Sequence, residues 1–447
     1  MIGKSSLAIV QEDVDGATLL VIEDHSLPVV RFLVTLRPGA ESDPSGQAGL
    51  TRVLMDLSLR GTTTDDRQAF NAKLEEMGSH LSAVTGTEAA MWRGITLRRH
   101  LDPTLALLAD AMARPALQPD EMTPLVEEIV EGLRADRDDD ETLAEIFLRR
   151  SLYEGHRLGR SPQGEIPDLQ GLASDAVTAA FRERLRPGAV VAAFAGDLSV
   201  AEARAALQRL VADLPKGAPV TSTLAPLPRP RGVKVVIVDK PERTQVQLRL
   251  ARPALSGRDA DALAFWLGVM AFGGTFTAPL LHEVRDVRGW SYTAHAGFDR
   301  LGRLVAPMVF RSAPGLEVAL DCVALELDLY RKLAAGELAS EAIELARSYV
   351  LNRYPLEIAT SSDLLMAALR HQLIGQEPEE VFQIPARLAA IQIADVGAAL
   401  RRTLDPAGVV VVMVATASAI EPAVRARFPE AEVRVVDFAE GLGLNRS

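Results

Sequence analysis

An arginine and a tyrosine, Arg285 and Tyr292, stand seven positions apart on either side of Gly289, in the stretch "LLHEVRDVRGWSYTAHAGF". Both side chains donate hydrogen bonds, one from a permanent cation and one from a phenol, so together they could hold a polar group at one place. Nothing near them in sequence supplies a nucleophile, a base or a metal site. The missing part of an active site must therefore lie elsewhere in the chain, in another chain, or nowhere.

The local pattern predicts that this pair lies at the junction of a helix and a strand. Pro279 suits the first turn of a helix, and Gly289 is a natural helix stop, which puts Arg285 on the last helical turn. The following "WSYTAHAGF" has strand character, so Tyr292 is expected early in a strand. The buried stripe of the helix is predicted to be Leu280, Val284 and Val287. Taken alone, an arginine near the negative end of a helix dipole and a tyrosine in a sheet are ordinary structural residues.

A pair of glycines, Gly273 and Gly274, lies just upstream and has two interpretations. It ends the preceding helix, which is the preferred interpretation, or it lets backbone amides approach and bind a substrate.

Histidine and cysteine patterns give no metal site and no disulfide. None of the histidines has a second histidine three or four residues away, so the chain contains no zinc-protease helix motif of either orientation. The single cysteine, Cys322, lies in an apolar helical run and is expected to be an inert core thiol. The seven histidines are His25, His80, His100, His156, His282, His295 and His371.

Composition indicates a globular protein of several cores. The chain has 447 residues, of which 48% are hydrophobic and 24% charged, and a net charge of -12 argues against a general nucleic-acid binder. No run of about 18 apolar residues appears, so no membrane-spanning segment is predicted. The chain as written reads as cytoplasmic, and a periplasmic location applies if a leader has been removed.

The second half of the chain repeats the plan of the first. The segment "LRPGAVVAAFAGDLSVAEARAAL" is paralleled by "LDPAGVVVVMVATASAIEPAVRARF" near the C-terminus. Residues 217–232 contain four prolines and form the best candidate linker. We therefore predict an α+β protein of two homologous domains, 1–222 and 223–447, each an antiparallel-rich mixed sheet packed with helices.

These segments, in this order, resemble the pitrilysin/insulinase family of zinc metallopeptidases. In the first half the similarity rests on "GLTRVLMDLSLRGT", "LEEMGSHLSAVTGTEAA" and "VEEIVEGLRADRDDD", and in the second on "FGGTFTAPLLHEVRDVRGWSYTAHAGF" and "SEAIELARSYVLNRYPLE". The resemblance implies one half of a clamshell-shaped protease. It also implies that an extended peptide binds at a sheet edge, for which "HLSAVTGTEAA" is the candidate strand, although it lies in the half with the degenerate metal motif.

The zinc motif of that family is lost here. The family uses His-x-x-Glu-His, and the matching positions are Arg52, Met55 and Asp56, none of which keeps the original residue. A guanidinium has no lone pair for a metal and a thioether cannot act as a base, so no metal is expected in this chain. The third-ligand position matches Glu128. Arg52 and Asp56 either form a weak exposed pair or fill the vacated metal pocket as a self-neutralised pair.

The resemblance implies that Arg285 and Tyr292 hold the substrate carbonyl and the developing oxyanion at a zinc site. A chain that has lost zinc but kept this pair resembles the non-metal subunit of bacterial two-subunit proteases. It would be inactive alone and would form a zinc endopeptidase with a homologous zinc-bearing partner, cleaving unstructured peptides. The alternatives are a structural protein of the same fold, like the core subunits of the respiratory cytochrome complex, and a peptide-binding homodimer without activity.

Overall fold

Two six-stranded mixed sheets, each packed with helices, make up the part of the chain that the computed structural model describes, residues 7–440. The strands of the first sheet are β1 Val10–Val14, β2 Ala17–Glu23, β3 Val29–Leu36, β4 His80–Thr85, β5 Ala90–Leu97 and β6 Val190–Gly196. Its helices are α1 Leu50–Ser58, α2 Arg67–Met77, α3 Leu101–Ala113, α4 Pro119–Ala135, α5 Asp140–Leu152, α6 Ile166–Gln170, α7 Ser174–Arg184 and α8 Val200–Val211.

The second half repeats this arrangement. Its strands are β7 Val233–Asp239, β8 Gln247–Leu255, β9 Ala294–Phe298, β10 Ala306–Ser312, β11 Val409–Ala415 and β12 Glu432–Asp437. Its helices are α9 Ala262–Gly273, α10 Pro279–Leu281, α11 Ala319–Ala334, α12 Ser340–Glu357, α13 Ser361–Ile374, α14 Glu380–Ala390, α15 Ile393–Thr403 and α16 Ala417–Arg427.

The strand orders confirm the predicted duplication. The first sheet runs β1-β2-β6-β3-β5-β4 and the second runs β12-β7-β11-β8-β10-β9, so five strands correspond one to one. In each sheet the valine- and alanine-rich strand, β6 or β11, is buried along its whole length and pairs parallel with one neighbour and antiparallel with the other. Both faces of these strands are covered, which explains why their sequences are continuous apolar runs.

The outer edges of the two sheets differ. The first sheet ends in β1, antiparallel to β2, whereas the second ends in β12, parallel to β7. At the opposite edges lie β4 and β9, so the predicted edge strand in "HLSAVTGTEAA" does form an edge.

The halves also exchange helices. Helix α5 of the first half packs on β8 and β11 of the second sheet, and α13 of the second half packs on β2 and β6 of the first. Leu20 and Ile22 of β2 accordingly share one apolar cluster with Leu365 of α13. The linker has neither helix nor strand between residues 218 and 231. The domain boundary at 222/223 stays a prediction, since each sheet is covered by a helix from the other half.

The segment that carries the arginine and tyrosine departs from the prediction in two details. After α10 the chain continues as a π-helix, His282–Val287, whose wider turn breaks the 3.6-residue period. Val287 is therefore 56% exposed, and the expectation that it belongs to the buried stripe was wrong. Tyr292 lies in a loop two residues before β9 rather than in the strand. Gly289 has φ +67° and donates its N–H to the Arg285 carbonyl, so its predicted role as a helix stop is confirmed.

Candidate functional site

Arg285 is held on the π-helix with part of its guanidinium left unused. Its Cζ lies 4.1 Å from the centroid of the Phe276 ring, a cation–π contact, and its Nε donates to Asp286 Oδ1 at 2.7 Å. The hydrogen bond to Asp286 raises the pKa of Arg285 above its ordinary value. The terminal nitrogens Nη1 and Nη2 have no hydrogen-bond partner within residues 7–440. The side chain can therefore donate further hydrogen bonds to an incoming group.

Tyr292 points outward from an anchored loop. Its side chain is 85% exposed, and its hydroxyl has no partner among the described residues. The neighbouring Ser291 is buried, where its Oγ donates to the Thr293 carbonyl at 2.6 Å and accepts the Ala313 N–H at 3.0 Å. Asp286 contributes most to the raised pKa of Arg285, and Tyr292 makes a smaller electrostatic contribution. The structure thus leaves Tyr292 exposed and Arg285 partly exposed, with the two side chains within electrostatic reach of each other.

The two glycines have a packing explanation. A Cβ on Gly273, in the last turn of α9, would lie 2.6 Å from the Ala296 Cβ of β9, so only glycine allows this helix and strand to approach so closely. Gly274 is the C-cap of α9, and its N–H donates to the Met270 carbonyl at 2.9 Å. This agrees with the preferred interpretation as a helix stop. Substrate contact by either glycine stays a prediction.

The degenerate metal positions lie on α1 and do not all face the same way. Met55 is fully buried in the first core. Arg52 and Asp56 are about one quarter exposed and do form the i, i+4 pair, with Nε and Oδ2 3.5 Å apart. Burial raises the pKa of Asp56 above its usual range, and Arg52 opposes that shift.

A wider network surrounds this pair. Arg60 forms an ion pair with Glu128 of α4 and lies 3.7 Å from Glu121, seven residues earlier on the same helix. Arg67 lies 3.5 Å from the same Glu121 carboxylate. The three arginines and three carboxylates are balanced in charge, and most of them line a small cavity of about 310 Å³. The pair therefore belongs to a charge-balanced network that lines a small cavity, and its correspondence to the metal pocket of the family stays a prediction.

No group of three or more metal-binding side chains occurs within the described range of the chain. In the network each carboxylate lies next to a guanidinium. A guanidinium beside a carboxylate competes with a cation for the same oxygens.

Several residues of both sites were not identified from the sequence. Arg60 stands four positions after Asp56, on the same face of the α1 region, and this spacing could have revealed it. Phe276 stands in a glycine- and threonine-rich turn, where an exposed aromatic residue is unusual. Ser291 gave no signal, because its role depends on Ala313 of a distant strand end.

None of the helices between residues 7 and 440 combines the length and apolar character that crossing a bilayer demands.

The chain matches two models of one peptidase family in sequence. Residues 18–164 match the model described as "Insulinase (Peptidase family M16)", and residues 172–348 match "Peptidase M16 inactive domain".

Relatives and solved structures agree with these matches. An uncharacterized zinc protease of Streptomyces coelicolor is 24% identical over 402 residues, covering 86% of this chain and 85% of its own. The crystal structure of a peptidase M16 inactive domain from Pseudomonas fluorescens superposes with a TM-score of 0.84 at 20% identity, covering 91% of this chain and 98% of that one.

The first half of the periplasmic protease PqqL from Escherichia coli superposes with a TM-score of 0.77 at 14% identity, covering 98% of this chain and 97% of that one. Against the whole PqqL structure the match covers 50% of the PqqL chain. The α+β architecture, its duplication and both sequence models point to one conclusion: the chain belongs to the insulinase family, peptidase family M16.

Proposed function

We propose that this chain is the non-metal subunit of a heterodimeric zinc endopeptidase. In this proposal Arg285 and Tyr292 bind the substrate carbonyl and stabilise the oxyanion that forms at zinc in a homologous partner subunit. The chain alone does not hydrolyse peptides, because its own metal positions are filled by the network around Arg52 and Asp56.

The proposal depends above all on the unused donors of the pair. The Tyr292 hydroxyl and the Arg285 terminal nitrogens have no hydrogen-bond partners among the described residues, and the two side chains are within electrostatic reach of each other. A tetrahedral intermediate at zinc carries negative charge on oxygen, and a fixed cation together with a phenol stabilises that charge where it develops.

The likeness to PqqL supports the need for a second subunit. PqqL has about twice the length that this chain matches, so this chain corresponds to one half of that protease. We infer that a zinc-bearing homologue supplies the other half, with an unstructured peptide enclosed between the two. PqqL is described as periplasmic, which favours the periplasmic alternative over the cytoplasmic location read from the sequence.

A reconstitution experiment tests the proposal. This chain, its zinc-bearing homologue and their mixture are assayed on an unstructured fluorogenic peptide. We expect cleavage only by the mixture, abolished by a zinc chelator and by Arg285→Ala. The matched control is Arg331→Ala, an exposed arginine of α11 paired with Asp328, which should leave activity unchanged. Cleavage by the homologue alone that does not change when this chain is added would contradict the proposal.

A second candidate function, peptide binding without catalysis, is favoured by the free edge of β4. The strand has no neighbour on its outer side within the described residues, so a peptide could add to the sheet there. In this case the chain alone binds an unstructured peptide, and Arg285→Ala leaves that binding unchanged. Fluorescence anisotropy with a labelled peptide distinguishes the two candidates.

A further inference from the structure

A cavity of about 740 Å³ lies between the two halves, and its lining includes none of the residues assigned to the two sites described above. Its walls come from α5, from the turns that join β4 to β5 and β9 to β10, and from the segment after β3. Much of the lining is apolar, including Leu152, Leu158, Leu304 and Leu373. Its volume falls within the range of about 300–1,000 Å³ that is usual for small-molecule sites.

Arg37 follows directly after β3 and lines this cavity, where no carboxylate of the described residues pairs with it. Its closest hydrogen-bond acceptor is the Leu373 carbonyl, 3.4 Å from Nη1. Burial lowers the pKa of Arg37, and the nearby cations Arg303 and Arg258 lower it further. Within residues 7–440 no carboxylate lies at ion-pair distance from its guanidinium.

Arg149 of α5 lines the same cavity in a similar state. Its Nη1 is 3.4 Å from the Thr87 hydroxyl, and burial lowers its pKa. Glu145 is within electrostatic reach of Arg149, but its carboxylate accepts hydrogen bonds from Arg249 and Arg311 instead. No described carboxylate forms an ion pair with Arg149 either.

Other arginines around the cavity are neutralised, which makes these two exceptional. Arg303 pairs with Glu41 at 2.6 Å, and Arg370 pairs with Asp299 at 2.5 Å. The chain has a net charge of -12, so carboxylates are not scarce. Withdrawing a cation from water without a partner opposes folding, and a bound anion would offset that cost.

We propose that the cavity binds an organic carboxylate with an apolar body, whose carboxylate group is held by Arg37, while Arg149 adds positive charge to the same cavity. A guanidinium matches a carboxylate in a two-pronged geometry, and the leucine-lined walls would cover the apolar body. The same walls disfavour inorganic phosphate, which is hydrophilic on all sides. Because the lining comes from both halves, the bound carboxylate stabilises their arrangement. This proposal does not depend on the proposed function.

The carboxylate could belong to the C-terminus of a peptide or to a free apolar acid, and isothermal titration calorimetry on the full chain separates these sources. The probes are the dipeptide Leu-Phe, its C-terminal amide, 3-phenylpropionate and inorganic phosphate. We expect Leu-Phe to bind and its amide not to bind. Equal binding of 3-phenylpropionate assigns the site to apolar acids in general, whereas its failure to bind assigns the site to peptide C-termini.

Variants test the two arginines directly. Arg37→Gln should weaken carboxylate binding by about 10- to 100-fold, as expected for losing a charged hydrogen bond, and Arg149→Gln should weaken it less. Arg331→Gln, outside the cavity, is the matched control. Without ligand, the melting temperatures of both cavity variants should equal or exceed that of the wild type, because a half-buried cation without an ion pair has been removed.

Three results would overturn the proposal: no binding of any carboxylate probe, equal binding of Leu-Phe and its amide, or phosphate binding as tight as that of the carboxylates. A lower melting temperature in both unliganded variants would also contradict it, since that result assigns Arg37 and Arg149 to the fold rather than to a ligand. Circular dichroism shows whether each variant is folded before binding is measured.

Discussion

Removing the hydroxyl of Tyr292 should separate catalysis from stability. The side chain is 85% exposed and its hydroxyl has no partner in the described part of the chain, so Tyr292→Phe should change the free energy of unfolding by less than about 0.5 kcal/mol. The loop would keep its shape, because buried Ser291 anchors it through the Thr293 carbonyl and the Ala313 N–H. Loss of one oxyanion donor typically lowers the rate by about 10²- to 10³-fold, or roughly 3 kcal/mol of transition-state stabilisation.

The assay uses Tyr292→Phe together with the zinc-bearing homologue and a fluorogenic peptide at saturating partner concentration. Sedimentation velocity measures assembly separately, so weaker association is not mistaken for slower chemistry. The matched control is Tyr349→Phe, a tyrosine of α12 that is 41% exposed and whose hydroxyl accepts a hydrogen bond from Arg353. If the Tyr292→Phe mixture assembles normally and keeps kcat/KM within about threefold of the wild type, the oxyanion role of the tyrosine is refuted.

Three further predictions concern stability. Gly273→Ala should destabilise the fold by about 1–3 kcal/mol, because its Cβ would lie 2.6 Å from that of Ala296, and a lower midpoint in thermal melting checks this. Burial raises the pKa of Glu326 to about 7, so the folded state favours the protonated carboxyl. The stability that this protonation contributes is fully present below about pH 4.5 and is lost as the pH rises to 7. Between pH 4.5 and 7 the wild type should lose about 3 kcal/mol of its free energy of unfolding through this group, and Glu326→Gln should not show that loss. Melting temperatures that fall equally with pH in the variant and the wild type would count against this. Arg60→Ala leaves Glu128 without its ion pair and should lower the melting temperature more at low salt than at 1 M NaCl, where salt screens the repulsion among carboxylates. An equal loss at both salt concentrations would contradict the network.

The local features of the candidate site were predictable, because they depend on short stretches of sequence. Gly289 ends its helix in a left-handed conformation, as a helix-stop glycine should, and Arg285 lies on the last turn before it. The spacing of Arg52 and Asp56 likewise sufficed to predict that they share a helical face. Valine-rich strands and the repeated strand-turn-helix segment predicted the duplicated architecture.

The remaining features depend on contacts between distant segments. No local pattern shows that Arg60 reaches Glu128 on α4, or that Ser291 is anchored by Ala313. The exposure of Val287 follows from a π-turn, which arises when the chain inserts one residue into a helix, and the apolar spacing there looks like that of an ordinary helix. The exchange of α5 and α13 was also beyond prediction, since both helices have apolar faces that suit either sheet.

That exchange means that cutting the backbone would not separate the protein into two parts. A protease that nicks residues 217–232 severs the covalent connection but leaves α5 on β8 and β11 and α13 on β2 and β6. Expressing either half alone would strip its sheet of a covering helix and expose apolar strands to water. The halves should therefore copurify after limited proteolysis and aggregate when produced separately, so that complementation by two coexpressed fragments is the natural way to study them.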